Sequence, residues 1–375
     1  MTATLAHLGA GLSPAALLAV EQPTGVAGWW LRERGATFSE PHDQYFMFIF
    51  WLCAFFFVLL MSLSTYFWWR YRRVEGVPTQ RSPAHNIALE LTWTIIPTML
   101  LAVIFVWGLR LYLNLHVAPA GAEQVNVTAR KWQWSFTYDN GGTPTETMPF
   151  ADVQIPVIAV PAGRPIKLLM QSEDVIHSCF IPAFRTKLDV FPYRYTTMWF
   201  QALPLAEGEE QREHWLFCAE YCGDNHSKMY AKIRVLPPEK YEQWKKDLAN
   251  PYKGRSLVQV GQLLYAARGC VQCHSVDGST KIGPSWKDMW GRTERLQDGS
   301  TVVVDENYIR ESILNPSAKI VQGFPNQMVS YQGQLSEKDI LAIIAYIKSI
   351  SEKGHGALTP EETQVQDESA DKGAG

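Results

Sequence analysis

The chain has 375 residues, with 34 Lys+Arg against 37 Asp+Glu for a net charge of −3. That length exceeds one compact core and asks for two or three domains, and without a basic excess nucleic acid is excluded as the default partner. Charged residues make up only 19% and aromatics 12%, with 14 Trp, a balance too apolar for a disordered chain, so part of the molecule must meet lipid or cofactor.

Residues 1–43 read as an outer N-terminal arm. Its apolar run GLSPAALLAV has no basic segment before it and no cysteine after it, so neither a signal peptide nor a lipid anchor is read there. The arm reads as poorly ordered, with Trp29 and Trp30 at a membrane interface. Residues 44–112 read as a transmembrane helix hairpin. Gln44 to Trp69 carries no charge and as a helix would be about 39 Å long. Leu91 to Leu109 is a second uncharged stretch, in which neighbouring helices can satisfy the carbonyl freed by Pro97. Between them Arg70, Arg72, Arg73 and Arg81 face only Glu75, which puts the connection in the cytoplasm and both termini outside.

From residue 123 to 250 the pattern changes to alternating segments, among them QVNVTARKWQWSFTYD, DVQIPVIAVP, PIKLLMQS, YTTMWFQA and KIRVLP. Alternation of β-branched and aromatic residues between Gly, Pro and Asn-Gly turns predicts an all-β domain. Pro238 to Leu248 closes it as a polar helix before the Asn250-Pro251 break. Residues 257–352 read as an all-α domain ending in SEKDILAIIAYIKSI, where Ser336 can cap the last helix. Residues 353–375 are acidic and free of aromatics, and read as a disordered tail.

The helical domain opens with Cys270-Val-Gln-Cys273-His274. In this pattern two thiols bond covalently to haem vinyl groups and the adjoining His supplies an axial iron ligand. A zinc site would need a second Cys/His pair nearby, and a redox dithiol a β-α-β context; neither is present. Two methionines could supply the sixth ligand. Met328, in a Pro-containing loop before the last helix, is preferred to Met289, which reads as core packing. The Pro284 carbonyl is placed to accept from the His274 ring N–H. This region resembles class I cytochrome c.

The β domain ends on Cys218-Ala-Glu220-Tyr-Cys222-Gly-Asp-Asn-His226-Ser-Lys-Met229. Thiolate, imidazole and thioether together select copper, and a second thiolate asks for a second metal. Two thiolates four apart can each bridge two coppers, leaving one imidazole for each: His226 locally and His177, at a strand end, from elsewhere. His214 reads as structural, Cys179 as a small buried residue and Cys53 as a membrane-face one. On these residues the domain resembles the cupredoxin-like, Greek-key CuA domain of cytochrome c oxidase subunit II. The resemblance extends through the membrane hairpin, and the whole chain is similar to subunits II that carry a C-terminal cytochrome c.

The resemblance implies a dinuclear CuA centre held by His177, Cys218, the Glu220 carbonyl, Cys222, His226 and Met229, and one haem c on Cys270, Cys273, His274 and Met328. It implies that electrons enter CuA at Trp132, that Glu90 lies near the mouth of a proton path in the partner, and that the Glu220 side chain reaches a magnesium ion at the interface with subunit I. It also implies a two-pass protein of the bacterial plasma membrane with both redox domains on the periplasmic face, assembled with subunits I and III of a proton-translocating oxidase. Electrons would come from an upstream cytochrome or other respiratory complex. The oxygen site is not on this chain, whose membrane helices carry no set of His ligands. Pro192-Tyr193-Arg194 departs from the family's Pro-Gly-Arg. A nitric oxide reductase subunit with CuA and a membrane-tethered copper carrier are the alternatives, separated by the gas consumed and by copper stoichiometry.

Overall fold

The computed structural model describes residues 28, 30–31, 33–78, 83–150 and 153–365. Two long helices come first, α1 (Ser39–Arg70) and α2 (Ile87–His116). Both are long and apolar enough to cross a membrane, and side chains such as Phe55, Leu60, Ile95 and Phe105 stand exposed along them, as on helices solvated by lipid or by another apolar surface. The Tyr45 hydroxyl joins the pair by donating to the Ile104 carbonyl at 3.0 Å. It fits because position 108 is Gly, where a Cβ would lie 2.6 Å from that oxygen.

Helix α1 begins at Ser39, ahead of the expected Gln44, because the end of the arm is built into the β domain. Ala36 forms a β-bridge with Ala202, the Ser39 hydroxyl donates to the Ala183 carbonyl at 2.7 Å, and Arg34 and Arg185 donate to the buried Asp43. The reading of a poorly ordered arm is therefore corrected for residues 33–43. Most of the arm, with Trp29, lies outside the described residues, as does Arg81.

The β domain is a two-sheet sandwich. One sheet has the order β2-β1-β5-β8 and the other β3-β4-β10-β9-β6-β7, built from β1 (Glu123–Arg130), β2 (Gln133–Thr137), β3 (Thr147–Phe150), β4 (Val153–Pro161), β5 (Pro165–Ser172), β6 (His177–Ile181), β7 (Thr186–Val190), β8 (Thr196–Gln201), β9 (Arg212–Cys218) and β10 (Tyr230–Leu236). The pairs β1/β5 and β4/β10 are parallel and the other pairs antiparallel. Alternate residues of β5 (Ile166, Leu168, Met170) and of β10 (Ala231, Ile233, Val235) are buried, which fills one core between the sheets. In the turn between β7 and β8, Tyr193 has φ 64° with its side chain 98% exposed. The left-handed backbone that suits glycine is thus kept with a non-glycine residue.

Helix α3 (Pro238–Leu248) follows with the expected bounds. The third domain contains α4 (Leu257–Ala267), α5 (Cys270–Cys273), α6 (Glu306–Leu314) and α7 (Glu337–Ser349), and Ser336 caps α7 in a capping box with Asp339. Helices α4 and α7 cross in contact at Gly261, where a Cβ would fall 1.9 Å from the Ala342 carbonyl. A small hairpin, β11 (Thr293–Arg295) and β12 (Thr301–Val303), interrupts the helices around Asp298-Gly299. Asp298 accepts from the Ser300 backbone, and Gly299 takes φ 86°, the turn chemistry of a short hairpin.

The disordered reading of 353–375 is corrected for residues 353–365. Glu352–Ala357 is a 3-10 helix and Pro360–Thr363 a turn of α-helix, α8. The buried Lys348 ammonium holds both Glu306 at 2.8 Å and Glu362 at 3.0 Å, so the acidic segment is drawn back onto α7. Burial alone would lower the Lys348 pKa, but the two carboxylates more than offset it and raise it. Glu362→Gln should destabilise this domain by roughly 1–3 kcal/mol, the cost of weakening a buried charged hydrogen bond. Thermal unfolding, with limited proteolysis near residue 355, measures it.

Candidate metal centre

The metal-binding loop joins β9 to β10. Strand β9 delivers Cys218 at its end, a 3-10 turn at His226–Lys228 reverses the chain, and Met229 precedes β10. His177 starts β6, which pairs with β9 through Cys179 opposite Cys218. The ladder thus brings a residue 41 positions upstream to the loop. The Cys218 Sγ lies 3.8 Å from the Cys222 Sγ, 3.8 Å from the His177 Nδ1 and 3.2 Å from the Glu220 carbonyl oxygen. The Cys222 Sγ lies 3.5 Å from the His226 Nδ1 and 3.8 Å from the Met229 Sδ. The four other sequence-predicted ligands converge on these two sulfurs. His177, Cys218 and Cys222 are buried with their donor atoms within 4.8 Å of one another. A soft donor set of two thiols, two imidazoles and a thioether fits copper.

Of the thiol pair Cys218 is the thiolate. The hydrogen bond from Cys222 is the largest cause holding it down to about 3, against burial, with His177 adding to the effect. The same hydrogen bond, together with burial, pushes Cys222 up.

Asp174 is a site residue that the sequence did not reveal. Its Oδ1 lies 2.9 Å from the His177 Nε2 and its Oδ2 accepts the Lys131 backbone N–H at 2.7 Å. It therefore fixes the imidazole with Nδ1 facing the sulfurs and ties that imidazole to the segment entering Trp132. Burial would raise the Asp174 pKa, but the hydrogen bonds from His177 and from the Lys131 and Val175 backbone outweigh it, and the group sits below its ordinary value. Asp174→Asn should weaken copper by roughly 10- to 100-fold, read by competition with a chelator of known affinity.

His214 is not among these ligands. It is buried, with Nδ1 at 3.1 Å from the Glu33 carboxylate. Cys179 is fully buried and Cys53 exposed on α1. Glu90 accepts the Asn86 backbone N–H at 3.2 Å and lies 3.3 Å from the His85 Nδ1, so it secures the start of α2.

In the third domain, Gly269 with φ 79° starts α5, and His274 leaves its end in extended backbone. The His274 Nδ1 donates to the Pro284 carbonyl at 2.7 Å, as expected from the sequence, leaving Nε2 as the ligand atom. Burial lowers the imidazole pKa against that hydrogen bond and keeps the ring neutral. Gly283 lies flat beneath it, since a Cβ there would sit 2.7 Å from the ring. Cys270, Cys273 and His274 line a cavity of about 630 Å³. Met328 and Met289 both stand on its wall, and Met289 is also buried in the helical core. A ring-sized apolar cavity with two thiols and a presented imidazole fits haem.

The wall of that cavity is completed by the β domain through Arg130, Trp132, Gln133, Gly223 and Asp224. Trp132 is 6% exposed, and a Cβ at Gly223 would lie 3.3 Å from its indole. Because Gly223 follows Cys222, the indole borders the cavity and packs against the copper loop at the same time. Trp134 packs edge-on to His177, 6.1 Å between centroids.

Three segments match known families in chain order. Residues 36–111 match the transmembrane domain of cytochrome C oxidase subunit II, residues 124–236 its periplasmic domain and residues 258–351 cytochrome c. Cytochrome c oxidase subunit 2 of Alkalihalophilus pseudofirmus is 30% identical over 291 residues, covering 75% of this chain and 79% of that protein. The subunit 2 of Bacillus sp. strain PS3 is 25% identical over 301 residues, covering 75% and 80%. The crystal structure of the periplasmic domain of subunit II of cytochrome oxidase of Bradyrhizobium japonicum aligns at 26% identity with a TM-score of 0.31, over 35% of this chain and 96% of that one. With such a relative and all three families in order, the chain belongs to the cytochrome c oxidase subunit II family, as a membrane-anchored electron-transfer subunit of a haem-copper oxidase that carries its own cytochrome c domain.

Proposed function

We propose that the β9–β10 loop holds a dinuclear CuA centre and that this chain relays electrons to it from a haem c on the same polypeptide. The convergence of two imidazoles, a thioether and a backbone carbonyl on the Cys218 and Cys222 sulfurs carries the reading. Bound there, the copper pair and the haem supply one-electron carriers between an upstream cytochrome or respiratory complex and an oxygen-reducing site on subunit I, with subunit III completing the assembly. Cys218 and Cys222 would supply the thiolates that hold the pair, His177 and His226 the imidazoles, and Met229 and the Glu220 carbonyl the weaker ligands. The Glu220 side chain is left to a magnesium ion at the interface with subunit I.

Within the haem site Cys270 and Cys273 tether the ring, His274 binds one face and Met328 the other. Trp132 stands between the two sites and serves as the point where electrons enter the copper centre. The arginines following α1 assign both redox domains to the periplasmic side of a bacterial plasma membrane, and Glu90 then sits at the cytoplasmic end of α2, beside a proton path in subunit I. In the purified complex, Trp132→Gln should leave both absorption spectra intact while slowing haem-to-copper transfer after flash reduction. An unchanged rate would remove Trp132 from the path.

A further inference from the structure

Arg130 ends β1, two residues before Trp132, and is 1% exposed. A guanidinium is always charged, so burying it demands partners, and here they belong chiefly to the other domain. Its Cζ lies 4.3 Å above the centre of the Tyr331 ring, and its Nη2 donates to the Gln334 side chain. Within the β domain its Nη1 lies 3.9 Å from the Glu173 carboxylate, and neither Nε nor Nη1 makes a hydrogen bond among the described residues. Tyr331 is itself fixed by donating from its hydroxyl to the Arg268 carbonyl at 2.7 Å. Next to Arg130 on the sheet, the Gln133 amide donates to the Ala267 carbonyl at 3.0 Å and Gly269 rests against its side chain.

These contacts grip both chain segments that flank the haem cavity. Arg268 lies two residues before Cys270, and Tyr331 and Gln334 lie three and six residues after Met328. The cation therefore holds the two lips of the cavity against the β1–β2 turn that carries Trp132.

Resting on the relay proposed above, we infer that Arg130 is a positioning residue: its buried contacts with Tyr331 and Gln334 lock the cytochrome domain onto the β domain with the haem cavity facing Trp132. The stack of the planar guanidinium on the Tyr331 ring sets this geometry, and lysine has no plane to stack. The domain is thus held in a transfer-ready pose instead of swinging on the segment joining α3 to α4.

The test uses the intact oxidase complex with Arg130→Gln, Arg130→Lys and Gln334→Ala in this chain. Haem-to-copper transfer after flash reduction should slow by roughly 10- to 100-fold in both Arg130 variants, as when only about a tenth to a hundredth of the molecules hold the docked pose. Gln334→Ala removes one contact outside the cavity and should show a smaller effect of the same sign. Hydrogen exchange should rise at Gln133, Gly269 and Gln334 and stay unchanged in β9 and β10. Wild-type rates and protection in Arg130→Gln, or full rescue by Arg130→Lys, would overturn the latch. A wild-type complex without copper-thiolate absorption or covalent haem would instead sink the relay, and the exchange pattern would still decide whether Arg130 holds the domains together.

Discussion

Replacing Cys218 by serine is expected to abolish the purple mixed-valence absorption of the proposed copper centre, and Cys222→Ser should do the same. A serine oxygen is a hard donor that cannot bridge two coppers as a thiolate does. Copper retention should fall by more than the roughly 100-fold that loss of an outer-shell partner costs, because each of the other proposed ligands lies against one of these two sulfurs. The two variants need not be equal, since His177 and Glu220 gather on Cys218 while His226 and Met229 gather on Cys222. Metal analysis beside the visible spectrum reads both effects, and an unaltered spectrum in both variants contradicts the assignment. Met229→Leu, by contrast, should move the potential more than the occupancy.

The second large effect is expected at the haem. Met328→Ala should open an iron coordination position, remove the methionine-iron charge-transfer band and lower the potential, with the cysteine tethers and His274 still in place. Met289→Ala should leave that band intact and destabilise the domain by about 2–5 kcal/mol, as truncation of a buried side chain does. Both side chains border the cavity, so the contrast between the two spectra assigns the ligand. Survival of the band in the first variant with its loss in the second would exchange their roles.

What the sequence disclosed and what it withheld divide along a physical line. Cys218 to Met229 and Cys270 to His274 are local patterns, in which spacing alone places the donor atoms, and they could be read before any fold was known. His177 needed only the pairing of β6 with β9. Asp174 and Arg130 could not be read this way, since a carboxylate in a turn and an arginine at a strand end are ordinarily solvated. Only packing gives Asp174 the Lys131 N–H and the His177 ring, and only domain docking puts Arg130 on Tyr331.

The same limit explains the strands. Segments with clean alternation announced β1, β4, β5, β8 and β10. Strand β9 begins Arg-Glu-His, and its inward positions, His214, Leu216 and Cys218, only make sense once His214 is seen beside Glu33. At the carboxyl end, acidic composition suggested disorder because the partner of Glu362 lies fourteen residues upstream at Lys348.

The central claim, that one chain carries electrons from its own haem to its own copper pair, is tested most directly by flash-reducing the haem of the intact complex. Copper reduction is then followed over a wide range of dilution and salt. Because both sites share one docked chain, the rate should be independent of protein concentration and nearly independent of ionic strength. A rate proportional to concentration, or copper that stays oxidised while the haem is reduced, would contradict it.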